Sequence, residues 1–83
     1  MALRKRAPDS DAGKALRAQF ARNVRQLRTQ RGMTQFELAQ SAGLGRSFVS
    51  QLESGHFSAT LETVAALARA LGVTPSLLVS ARF

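Results

Sequence analysis

Apolar residues recur along this chain at helical rather than strand spacing. Between Gly13 and Gln30, Leu16, Phe20, Val24 and Leu27 follow at intervals of four, four and three residues, which lays them along one stripe of a helix. Gly32 is then expected to cap the helix's C-terminal end. Thr34-Gln35-Phe36-Glu37 spells a capping box, in which hydroxyl and carboxylate satisfy backbone N–H groups that a new helix leaves unpaired. A short second helix is predicted to about Ser41. Gly43 supplies the left-handed position that a tight reversal needs, and a third helix is predicted from near Arg46 to Ser54. After the loop His56 to Ala59, Thr60 caps a fourth helix, with Leu61, Val64, Ala65, Ala68 and Leu71 expected to point inward and Gly72 to close it. Thr74-Pro75 repeats the start signal and opens a short fifth helix through Leu77, Leu78 and Val79. The pattern predicts an all-α, compact five-helix domain over residues 13–83. Residues 1–12, which hold Arg4-Lys5-Arg6, Pro8 and a polar run but no apolar period, are expected to form a flexible basic arm.

The second and third helices are the informative pair. Each is about eight residues long, and Ala42-Gly43-Leu44-Gly45 separates them, which is helix-turn-helix spacing. At about 100° per residue, Val49, Leu52 and, marginally, Phe48 face the core from the third helix. Arg46, Ser47, Ser50 and Gln51 fall on the opposite side. A helix with that outward face suits the major groove of DNA. Arg matches the O6 and N7 of guanine, Gln matches the N6 and N7 of adenine, and Ser pairs with either.

Composition narrows the alternatives. Eighty-three residues support one core. Without Cys, and with His56 the only His, neither a disulfide framework nor a zinc finger can be built. No metal or cofactor is expected. No nucleophile is seen beside a base, so no enzyme is expected either. No apolar run reaches the roughly 18 residues that span a bilayer, and no secretory leader is visible, so the chain is expected in the cytoplasm. The net charge of +7 lies wholly before Gly32, because Arg46, Arg69 and Arg82 are balanced by Glu37, Glu53 and Glu62. A basic surface meets phosphates, but it does not by itself separate nucleic acid from an anionic membrane.

Met33-Thr34-Gln35-Phe36-Glu37-Leu38-Ala39, Ala42-Gly43-Leu44 and Val49-Ser50-Gln51-Leu52-Glu53-Ser54-Gly55, followed by Leu61-Glu62-Thr63-Val64 and Leu71-Gly72-Val73, resemble the helix-turn-helix family of phage repressors and Cro. The resemblance covers about Val24 to Leu78. It implies a repressor-like fold, with Arg46, Ser47 and Gln51 at base-contacting positions and Gln35 touching a phosphate while bracing the recognition helix. It also implies an ion pair between Arg28 and Glu53, both of which lie on the shoulders of their helices. Two positions depart from the family pattern. Gly45 stands where many members carry a Ser, Asp or Thr cap, and Ala59 stands where Pro is common, which leaves the path of the following loop open. His56 and Ser58 are candidate phosphate donors there. Arg22 and Arg25 point away from the apolar stripe and are either phosphate-facing or simply solvated.

A single short recognition helix reads few bases, so a homodimer on double-stranded DNA is expected. Leu77, Leu78, Val79 and Phe83 are the candidate dimer interface, because they are more apolar than a solvated tail needs. The competing reading is an antitoxin-type interaction module whose main partner is a toxin, with DNA binding as autoregulation. A basic amphipathic helix lying on a membrane also fits Lys14 to Arg31, but its apolar stripe is better explained as core.

Overall fold

The computed structural model describes residues 11–81, and these form five helices: α1 (Asp11–Gln30), α2 (Gln35–Ala42), α3 (Arg46–Glu53), α4 (Leu61–Leu71) and α5 (Pro75–Leu78). No strand is present among the described residues. The core is the shared interior of α1, α2, α3 and α4, where Val24, Leu38, Val49 and Leu67 are fully excluded from solvent. The last turn of α5 closes it with Leu78.

Local chemistry accounts for most element ends. The Thr34 hydroxyl accepts from the Glu37 amide at 3.0 Å, and the Glu37 carboxylate accepts from the Thr34 amide at 2.9 Å, so the expected capping box starts α2. Gly43 ends it in the left-handed region at φ 72°, with the Leu44 amide reaching back to the Ala39 carbonyl at 2.8 Å. The Thr60 hydroxyl accepts from the Thr63 amide at 3.1 Å and starts α4. Thr74 begins α5 without a side-chain cap bond, its hydroxyl meeting that of Ser76 instead at 3.1 Å. Pro75 nevertheless pre-sets the first helical turn.

Several expectations are corrected. The first helix starts at Asp11 rather than Gly13, so Asp11 and Ala12 are its opening turn and not part of an arm. A carboxylate in the first turn favours that start. The remainder of the expected arm, residues 1–10, lies outside the described residues. In α4, Leu61 is 84% exposed and Ala65 is also exposed, whereas Leu67 is fully buried. The buried stripe runs through Leu67, Ala68 and Leu71, which places Ala65 about 110° from its centre. Leu61 lies about 70° off that centre, at the first residue of the helix. Leu16 follows the α1 stripe in register but is half exposed, because it sits on the open rim of a shallow apolar groove shared with Leu61, Val64 and Val79.

Two polar side chains tie distant segments together. The buried Asn23 amide donates to the Leu78 carbonyl at 2.9 Å and the Ser80 carbonyl at 2.8 Å, and its oxygen accepts from Gln19 at 2.9 Å. Arg31 donates through Nε to the Leu71 carbonyl at 2.6 Å. The Leu71 and Leu78 carbonyls stand at the C-terminal ends of α4 and α5, where a helix leaves them without an intrahelical partner.

Candidate nucleic-acid interface

The third helix is held from one side and open on the other. Val49 and Leu52 anchor it in the core, while Arg46, Ser47, Ser50 and Gln51 are all exposed. The division expected from the helical wheel is therefore present, and the exposed half carries one guanidinium, one carboxamide and two hydroxyls. Gly45 caps α3 with no side-chain hydrogen bond, so the helix relies on its packing more than on its first turn.

Its orientation is set at the far end. Glu53 is buried and accepts two bonds from Arg28, Nε to Oε2 at 2.7 Å and Nη2 to Oε1 at 3.1 Å. The same guanidinium donates through Nη1 to the Met33 carbonyl at 2.7 Å, and Gln35 Nε2 donates to Glu53 Oε1 at 3.1 Å. One buried carboxylate thus joins the end of α1, the start of α2 and the end of α3. The Arg28 side chain is 13% exposed and that of Glu53 3%, so the bidentate pair works in a partly dry setting, where its planar geometry specifies orientation. Among the described residues no buried side-chain polar atom is left unpaired.

Around this junction Arg25, Gln35, Ser50 and Ser54 line an open polar depression. The structure therefore brings Arg25 and Gln35 beside the exposed face of α3. His56 and Ser58 lie on the loop after α3, and both are exposed. His56 Nδ1 is 2.8 Å from the Ser54 hydroxyl, and Ser58 accepts from Arg17 Nη1 at 3.4 Å. Arg22 is exposed, and its guanidinium donates to the Gln19 side chain at 2.8 Å.

Sequence reasoning missed Arg17 and Asn23. Arg17 donates through Nε to the Gly55 carbonyl at 3.3 Å and so ties α1 to the loop that carries His56 and Ser58. Both residues bond to backbone atoms far along the chain, and no pattern in their own neighbourhood marks such partners. The expected dimer surface also needs correction. Leu78 is wholly buried within the fold of the single chain and has no surface to offer a second copy. Leu77 is partly buried against the core, Val79 is 41% exposed, and Phe83 lies outside the described residues.

No helix among the described residues is long and apolar enough to cross a membrane. A family model described as Helix-turn-helix matches residues 24–78. The chain is 41% identical over 58 residues to a hypothetical transcription factor of Neisseria meningitidis, an overlap of 70% of this chain and 55% of the relative. It is 36% identical over 56 residues to the immunity repressor protein of Bacillus phage phi105, an overlap of 68% and 39% respectively. The chain therefore spans about half the length of these relatives, or less. Among solved structures, it is similar to the restriction-modification controller protein C.AhdI from Aeromonas hydrophila, with a TM-score of 0.75 and 38% identity over 77% of this chain and 97% of that one. It also superposes on the hypothetical transcription factor NHTF from Neisseria with a TM-score of 0.77 and 35% identity, covering 95% of this chain and 87% of that one. With the match spanning both helices of the motif and the core that supports them, the chain belongs to the helix-turn-helix family of DNA-binding transcriptional regulators.

Proposed function

We propose that this chain is a sequence-specific repressor that binds an inverted-repeat operator as a homodimer, with α3 in the major groove. The observation that carries the reading is the exposed, donor-rich face of Arg46, Ser47, Ser50 and Gln51 on a helix clamped at its far end by the Arg28–Glu53 pair. Arg46 and Gln51 supply the bidentate base contacts, and the two Ser residues the short ones. Arg25, Gln35, His56 and Ser58, on the elements that flank α3, hold phosphates and fix its register. The names of the phage immunity repressor and the restriction-modification controller support regulation by occupancy of an operator.

Pairing follows from the small size of the reading helix, since one module contacts too few bases for a unique site. The second copy docks on the exposed apolar side chains that the fold itself does not use, Val79 with the neighbouring Leu61 and Leu16. In an isologous dimer the two reading helices then meet half-sites about 34 Å apart on one face of the duplex.

The decisive experiment is selection of bound duplexes from a random DNA pool, followed by sequencing. Enrichment of an inverted repeat with half-sites one helical turn apart is the expected result. Recovery of unrelated sequences would overturn the sequence-reading function and leave only general affinity for phosphate.

A further inference from the structure

The two shoulders of α3 are chemically unlike. On one side, Ser50 adjoins the depression formed with Arg25, Gln35 and Ser54 around the ion pair, a surface suited to phosphate oxygens. On the other side stands Phe48, three residues before Gln51 and therefore beside it on the helix surface. Its ring stacks on Phe57 from the following loop, with centroids 5.6 Å apart and planes 25° from parallel. Phe48 is half-buried against the core, but Phe57 remains 40% exposed. A benzyl side chain has no donor for a phosphate, and part of its apolar surface stays in water at the border of the reading face, between the exposed His56 and Ser58.

The major-groove edges of the four bases carry one apolar group, the 5-methyl of thymine, and a Phe side chain is a suitable partner for it. We propose that the Phe48–Phe57 pair is a thymine-reading wall, with Phe57 receiving the methyl group of a thymine next to the base read by Gln51. Phe48 acts as a positioning residue, because its stacking holds the Phe57 ring against the helix. The reader thus combines polar recognition along the centre of α3 with an apolar contact on one shoulder. This inference rests on the assignment of α3 to the major groove.

The test uses the full chain and the operator recovered by selection. Each thymine is replaced in turn by deoxyuridine, which removes the methyl group and keeps the base pair. Wild-type protein is expected to lose about fourfold in affinity at one thymine per half-site, the worth of one buried methyl-sized group. Phe57→Ala should bind the thymine and uracil duplexes equally at that position, and Phe57→Leu should retain part of the discrimination. Circular dichroism checks the fold of each variant, and Phe57→Asn, a residue at home in loops, replaces Phe57→Ala if the latter loses helix. The proposal is overturned if no thymine is methyl-sensitive in the wild type, or if the sensitivity persists without the Phe57 ring. It is equally overturned if Phe57→Ala weakens both duplexes alike, since that pattern means packing on the sugar. Failure of the pool to yield any operator would remove the sequence-reading function itself, whereas an operator without methyl sensitivity removes only the aromatic contact.

Discussion

At the scale of single residues, two charged side chains have opposite duties. Arg46 is exposed and touches nothing that the fold needs. Arg46→Ala should therefore leave thermal stability nearly unchanged while relaxing the preference at one base position by about 1–3 kcal/mol, as read by competition among operator variants. Equal weakening on every sequence would place Arg46 on a phosphate instead. Glu53 is buried between Arg28 and Gln35. Glu53→Gln leaves the Arg28 guanidinium without its counter-charge, at a cost of about 3 kcal/mol or more in chemical denaturation. A loss below about 1 kcal/mol would mean that water replaces the carboxylate at little cost. The pair was legible in the sequence because both residues sit on the shoulders of strongly periodic helices and the family resemblance links them. Asn23 was not legible. It is a polar side chain at the edge of the apolar stripe, three residues after Phe20 and four before Leu27, and only the return of the backbone at Leu78 and Ser80 explains why it can be buried there.

At the scale of elements, the ends were easier to read than the faces. Thr34, Glu37, Gly43 and Thr60 act on their own neighbours, so their roles follow from local chemistry. Which side of a helix is buried depends on what lies across from it. The expected α4 stripe through Leu61, Val64, Ala65, Ala68 and Leu71 shares Ala68 and Leu71 with the observed one, and helical periodicity alone accommodates Leu61 and Ala65 on its edge as well as Leu67. Tertiary packing chooses between them. Leu78 went the same way, since an apolar residue near the end of a chain reads equally as interface or as core. Gly43 offers an element-level test. Nothing lies within 4 Å of where its Cβ would stand, so only the backbone at φ 72° opposes a side chain. Gly43→Ala should therefore destabilise the fold by about 1–2 kcal/mol, the cost of a left-handed L-residue. A larger loss in calorimetry would point to a steric clash that this open surroundings does not contain.

At the scale of the whole molecule, the apolar groove edged by Leu16, Leu61 and Val79 marks where a second copy is proposed to sit. Leu61 and Val79 are both exposed, so changing them should spare the core. Leu61→Glu combined with Val79→Glu is expected to give a folded monomer by sedimentation at micromolar concentration, with much weaker operator binding. A variant that stays dimeric would move the interface to another surface. The same molecule-wide view separates two classes of charge. Arg28 and Glu53 are shielded from water at 13% and 3% side-chain exposure, whereas Arg22, Arg25 and Arg46 stand in solvent. Dissolved ions reach the second class and barely the first. Raising ionic strength should then strip the protein from its operator while the frame that aims the reading helix stays assembled. A plot of affinity against salt would consequently measure counterions released from the duplex, uncontaminated by unfolding, and the number of phosphates the protein neutralises could be read directly from its slope.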